Sequence, residues 1–281
     1  MDPASAFFIL RRRMVQIVSR SHDAEHPVLV LADQGLLSLD FGSGIAQSSM
    51  DPACPHRLCL AYTRRMMLAL LFPPVPQRFL ILGLGGASIP RFLLHYYSAC
   101  RIDAVDCSPV VIEMARRHFL LADDPRLAVF SADAAGFVAA ASPAVGYDAI
   151  FVDLFDPEAM AAPLFDNLFH VACRALLAPG GVLCVNLWSG DRRRHVLVLD
   201  ALRGASPRLL LLPVAQRSNV IALVPQADDF EPLLRDAARR CADRADQLAL
   251  PLARYLRELR HDPPDASAGG VLRQLWKRWL A

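Results

Sequence analysis

Apolar and polar positions follow two rhythms along this chain, and the change falls near residue 79. Before it, short β-type runs (Val15–Val18, Val28–Leu31, Leu36–Leu39) are separated by turn-prone His22-Asp23 and Asp33-Gln34-Gly35. Such runs predict a small antiparallel sheet of three or more strands. Residues 51–57 read as a loop, and Leu58–Phe72 reads as a helix stopped by Pro73-Pro74. From Phe79 onward, apolar strands alternate with helical stretches. The strands are Phe79–Leu82, Ile102–Val105, Leu127–Phe130, Ala149–Val152 and Val182–Leu187. Between and after them lie helices at about Ile89–Tyr97, Pro109–Phe119, Ala134–Ala141, Leu164–Leu177 and Arg193–Leu202. Two more apolar runs, Leu209–Leu212 and Val220–Val224, have little room for a helix between them. They predict an antiparallel pair at one edge.

Strand–helix alternation of this kind implies an α/β fold with a Rossmann-like, doubly wound sheet of seven strands. The expected organisation is an N-terminal tail and small antiparallel β domain (1–57), a nucleoside-binding core (58–225) and a C-terminal helical extension (226–281). Residues 1–13 read as a tail. The stretch Leu272–Leu280, with Arg273, Lys277 and Arg278, reads as a basic amphipathic helix, docked or facing a partner.

Composition narrows the function classes. The 281 residues are 54% hydrophobic and 21% charged, ample for a buried core. A formal charge of +2 gives no reason to expect nucleic acid as a partner. No apolar run reaches the ~18 residues of a membrane span, and Arg11-Arg12-Arg13 follows rather than precedes the short apolar Phe7–Leu10. No membrane contact and a cytoplasmic location are therefore expected. The seven cysteines form no Cys-x-x-Cys pair, so free thiols are expected and a metal site is not.

The chemistry gathers at the ends of four successive strands, where ligands bind in open α/β sheets. Gly83-Leu84-Gly85-Gly86 follows the first; glycines there let the backbone turn tightly and approach a ligand. Asp106 ends the second strand, about 20 residues past Gly86, where a carboxylate can accept bonds from ribose hydroxyls. The competing reading is a turn or helix-cap aspartate, though Ser108 before Pro109 can serve as the cap instead. Asp133 follows the third strand and can accept the amino group of adenine, or cap the next helix. Asp153 and Asp156, in Asp153-Leu154-Phe155-Asp156-Pro157, follow the fourth. A pair of carboxylates so placed can hold a cationic amine and take its proton as it attacks an electrophile. The alternative is one ligand aspartate and one turn aspartate before Pro157.

These segments resemble the spermidine synthase (polyamine aminopropyltransferase) family over residues 25–225. Tyr147–Pro157 followed by Leu164-Phe165 is similar to that family's strand and acidic loop, Val105–Ile112 to its ribose-binding strand end, and Asp124–Asp133 to its adenine side. Tyr62-Thr63-Arg64-Arg65-Met66 resembles the helix that carries an active-site tyrosine. The resemblance implies a methyltransferase-like fold and aminopropyl transfer from decarboxylated S-adenosylmethionine to a small-molecule amine, in polyamine biosynthesis. It also implies a homodimer and no tightly bound cofactor. Carried over by position, Asp153 accepts the proton, Asp156 anchors the amine and Tyr62 orients it. Gly83, Gly85, Gly86, Asp106, Asp133 and Gln47 hold the nucleoside. The chain departs from the pattern at Gly86, which replaces an aspartate for the donor's ammonium, and at Thr63, Arg64 and Arg65, where an acidic residue usually follows the tyrosine. The stretch from Gln47 to Tyr62 is also longer. These departures admit ordinary S-adenosylmethionine as co-substrate. The alternatives are a methyltransferase on the same fold and a non-catalytic nucleoside-binding protein.

Overall fold

In the computed structural model of the protein, the structure describes residues 15–24, 26–156, 159–229 and 231–262. Four strands come first: β1 (Gln16–Asp23), β2 (His26–Asp33), β3 (Leu36–Asp40) and β4 (Ser48–Met50). They form an antiparallel sheet in that order. Val28, Val30, Leu39 and Met50 pack it against Val111, Met114 and Phe119 of the core.

The core sheet begins with β5 (Arg78–Leu82), β6 (Arg101–Asp106) and β7 (Leu127–Ser131). The chain then returns to the other side of β5 with β8 (Tyr147–Val152) and β9 (Leu177–Trp188). All five are parallel, and the helices α2 (Ser88–Tyr96), α3 (Pro109–His118), α4 (Ala134–Ala140) and α5 (Asn167–Ala175) connect them. After α6 (Arg192–Ala205), β10 (Leu209–Pro213) and β11 (Asn219–Pro225) add the expected antiparallel pair, with β11 against β9. Burial on both faces explains the continuous apolar runs of the central strands. Phe79, Ile81, Ala149 and Phe151 face one core cluster, while Leu80, Leu82, Ile150 and Val152 face the other.

Several expectations are corrected. The sheet carries an eighth strand beyond the seven expected: β12 (Arg260–Asp262) pairs with β10 and forms the edge. It lies in the extension read as helical, after α7 (Glu231–Leu248) and α8 (Leu252–Glu258). The single helix read over Leu58–Phe72 is a short α1 (Ala61–Met66) tightened into a 3-10 segment, Met67–Leu71. That segment is buried on every side, and Arg240 of α7 donates to the carbonyls of Leu71 and Phe72 at its end. The helix read over Leu164–Leu177 is likewise divided. A 3-10 turn, Ala162–Phe165, precedes α5, whose N-terminus is capped by Asp166, and Leu177 already belongs to β9. The tail 1–13 and the basic stretch Leu272–Leu280 lie outside the described residues. No helix among the described residues is long and apolar enough to cross a membrane.

Candidate active site

The sheet order reverses between β5 and β8, and a crevice opens beyond the carboxyl ends of the strands at that point. It is a cavity of about 1090 Å³, roofed by the small sheet. Gly83, Gly85, Asp106, Asp133, Asp153 and Asp156 all line it, and so do Tyr62 and Gln47. Gly86 is the exception. It packs behind the loop, where an added Cβ would meet Ser48 Oγ at 2.7 Å and Phe119 at 3.0 Å. The space a longer side chain would need at Gly86 is filled by Ser48, whose hydroxyl lies 3.1 Å from that of Ser88.

The glycine turn is tied to the other loops. Gly83 has φ +94°, and a Cβ there would overlap the backbone carbonyl of Asp153. Glycine therefore lets the end of β5 lie directly against the end of β8. Asp106 Oδ2 accepts from the amides of Leu84 (2.9 Å) and Gly85 (3.4 Å), and its Oδ1 accepts from Ser108 N (3.0 Å). Ser108 is the cap of α3, accepting from Val111 N. Burial pushes the Asp106 carboxyl above its ordinary pKa, and the three amides pull it back. Asp133 does serve as a helix cap: its Oδ2 accepts from Gly136 N at 2.7 Å at the start of α4. It is exposed and lines the cavity as well.

Asp153 is built differently. Among the described residues no backbone amide donates to its carboxylate; two side chains from distant elements do. Tyr62 of α1 donates to Oδ2 at 2.9 Å, and Asn186 of β9 donates its Nδ2 to Oδ1 at 2.8 Å. Asn186 is held in turn by Asn219 of β11, which donates to its Oδ1 at 3.1 Å. Burial raises the pKa of Asp153, and the bonds from Asn186 and Tyr62 counteract it. The phenol of Tyr62 is pushed well up by burial and by the neighbouring carboxylate, so it stays protonated. Its oxygen also lies 3.1 Å from Gln47 O, which ties the small sheet to the site. Asp156 is exposed on the loop beyond, and its carboxylate makes no hydrogen bond or ion pair among the described residues. Residues 157–158, the end of that motif, are outside the described residues.

Sequence reasoning missed Asn186 and Asn219. Asn186 is 1% exposed in the middle of an apolar strand, and a polar residue inside such a run was the available signal. Of the arginines after Tyr62, Arg65 turns away to pair with Glu258 of α8, while Arg64 lines the cavity and donates to the carbonyls of Leu58 and Cys59. The seven cysteines are free, and no group of three or more His, Cys, Asp or Glu among the described residues is arranged to hold a metal.

Comparison with known proteins fits this geometry. The chain is 32% identical over 242 residues to the polyamine aminopropyltransferase of Neisseria meningitidis serogroup A, covering 85% of this chain and 91% of that one. The chain belongs to the spermine/spermidine synthase family. The spermine/spermidine synthase domain itself matches residues 60–191, from the start of α1 to the start of α6. Over a shorter span the chain is 40% identical to putrescine N-methyltransferase 2 of Nicotiana attenuata, covering 44% of this chain and 34% of that one. Among solved structures, a spermidine synthase in complex with the transition-state analogue AdoDATO matches with a TM-score of 0.61 at 18% identity, covering 79% of this chain and 76% of the other. That likeness supports the fold: a methyltransferase-like sheet with an N-terminal antiparallel β sheet. As a member of this family, the protein is a transferase.

Proposed function

We infer that the protein transfers an aminopropyl group from decarboxylated S-adenosylmethionine to a small-molecule amine in polyamine biosynthesis. The observation that carries this reading is Asp153, half-buried at the sheet's switch point between Tyr62 and Asn186 and set directly against the glycine turn. In this reading Gly83, Gly85, Asp106, Asp133 and Gln47 surround the nucleoside, with Asp106 on the ribose and Asp133 on the adenine side. Asp106 does so while holding the turn open, and Asp133 while capping α4. Gly86 supports the turn from behind.

The acceptor's alkyl ammonium has a pKa near ~10 and becomes a nucleophile only on losing a proton. Asp156 attracts the cation and Asp153 takes the proton. The raised pKa of Asp153 makes it a stronger base than an exposed carboxylate. The amine nitrogen then attacks the aminopropyl carbon next to the sulfonium. The carbon–sulfur bond breaks with its electron pair going to sulfur, and neutral methylthioadenosine leaves. Positioning and deprotonation supply the catalysis. The reading further takes the protein as a cytoplasmic homodimer, organised as an N-terminal tail and small β domain (1–57), a nucleoside-binding catalytic core (58–225) and a C-terminal extension (226–281).

Mass spectrometry of reactions with decarboxylated or ordinary S-adenosylmethionine and a panel of amines tests this. The expected products are methylthioadenosine and an amine lengthened by an aminopropyl group. S-adenosylhomocysteine formed from the ordinary donor would assign methyl transfer instead, and no product from either donor would leave a non-catalytic nucleoside binder.

A further inference from the structure

The helix that carries Tyr62 has little to hold it locally. Helix α1 is six residues long, with no side-chain cap at its N-terminus and no acidic residue in its first turn. A helix this short takes its place from what it packs against. Its anchor away from the cavity is Arg65, about one turn beyond Tyr62 and 4% exposed. The Arg65 guanidinium pairs with Glu258 of α8 at 2.5 Å and lies 4.8 Å from the centroid of the Tyr255 ring. Arg254 holds Glu258 in turn, donating from Nε to its other oxygen at 2.9 Å. Among the described residues Glu258 is the carboxylate paired with Arg65, and removing it would leave a buried cation uncompensated.

The placing of α1 matters because the Tyr62 phenol has one proton and two acceptors. Its oxygen lies 2.9 Å from Asp153 Oδ2 and 3.1 Å from Gln47 O, and it can donate to one of them at a time. Donation to Asp153 favours the ionised carboxylate; donation to Gln47 leaves Asn186 of β9 as its remaining side-chain donor. The other titratable group facing Asp153 is the Cys184 thiol of β9, which burial pushes well up, so it stays neutral; it donates to the Met66 carbonyl at the end of α1. A small displacement of α1 therefore decides which acceptor the phenol takes. We propose that Glu258, acting through Arg65, is a positioning residue that keeps the Tyr62 phenol on Asp153 rather than on the Gln47 carbonyl. Helices α7 and α8 contribute no residue to the cavity among the described residues, so the C-terminal extension acts on the site at one remove. The proposal rests on the reading of Asp153 as the base for aminopropyl transfer.

Titration of the Asp153 carboxyl carbon by NMR, its signal identified by its loss in Asp153→Asn, tests this without requiring turnover. Tyr62→Phe and Glu258→Ala are each expected to raise the midpoint by about one pH unit, the scale of one hydrogen bond to a charged group. The double variant is expected to titrate with Tyr62→Phe alone, because the effect of Glu258 runs through that phenol. In kinetics, the acid limb of kcat moves to higher pH in Glu258→Ala, with a rate about tenfold lower on that limb and methylthioadenosine affinity within about twofold of the wild type. Glu258→Gln keeps a neutral acceptor for Arg65 and is expected to shift the midpoint less, in the same direction; it carries the test if Glu258→Ala does not fold. A midpoint unmoved by the Glu258 variants or by Tyr62→Phe, or a Glu258→Ala shift that adds in full to that of Tyr62→Phe, overturns the proposal. Titrations that move as expected, with no aminopropyl product from any amine, would instead defeat the transfer reading alone.

Discussion

The two sides of the crevice hold their carboxylates by opposite means. On the nucleoside side, Asp106 is fixed by three backbone amides, one from its own loop and two from the glycine turn, and Asp133 by one at the start of the helix it caps. On the reacting side, Asp153 is fixed by Tyr62 and Asn186, 91 and 33 residues away. The first arrangement makes the loops themselves rigid, and the carboxylates keep lone pairs for a ligand. The second makes basicity adjustable, because each side-chain partner lowers the proton affinity of the carboxylate against the raising effect of burial. A nucleoside grip needs shape, whereas a general base needs a tuned pKa.

Substitutions separate the two. The largest effect is expected at the joint between the sides. Gly83→Ala places a Cβ against the Asp153 carbonyl at a positive φ, and should lower stability by several kcal/mol, about 3 or more, with both nucleoside binding and turnover lost. Thermal unfolding checks it. Next is Asn186→Leu. Losing its bond removes a contact that favours the ionised form of Asp153, so the pKa rises further. The base works only when ionised, so the acid limb of kcat against pH moves to higher pH. At neutral pH, kcat falls by roughly 10- to 100-fold, with methylthioadenosine affinity unchanged. The smallest effect belongs to Asp133→Ala. Loss of the α4 cap costs about 1 kcal/mol, and nucleoside affinity in calorimetry falls by about tenfold or less, with the pH profile of kcat unmoved.

The contrast also explains what could be read from the sequence. Strands β5 to β11 were legible because each is an apolar run between turn residues, and the aspartates were legible because they sit where those runs stop. The cap role of Asp133 was visible as a rival because caps are local. What was hidden depends on distant contacts. Gly86 sits against Ser48 only because β4 packs beneath the turn. Asn186 reaches Asp153 only because β9 lies next to β8. Strand β12 has the residues Arg260-His261-Asp262, with no apolar pattern; it pairs with β10 while Asp262 bridges to Arg203 at the end of α6. The Met67–Leu71 segment is apolar on all faces, so no periodicity distinguishes 3-10 from α geometry.

The central claim is that Asp153 acts as the base and not as a nucleoside ligand, and Asp153→Asn tests it most directly. An asparagine keeps the volume and can still accept from Asn186, while Tyr62 has the Gln47 carbonyl as another acceptor. Because burial raises the pKa of Asp153, its ionised form is destabilising in the folded state; that penalty is absent at low pH and grows as pH rises through the folded pKa. At neutral pH the variant should therefore unfold at a temperature equal to or above that of the wild type. In the same preparation, turnover should fall by about 10²–10⁴-fold while methylthioadenosine affinity stays within about twofold. Turnover near the wild-type rate, or a loss of nucleoside affinity that accounts for the loss of turnover, would contradict the assignment.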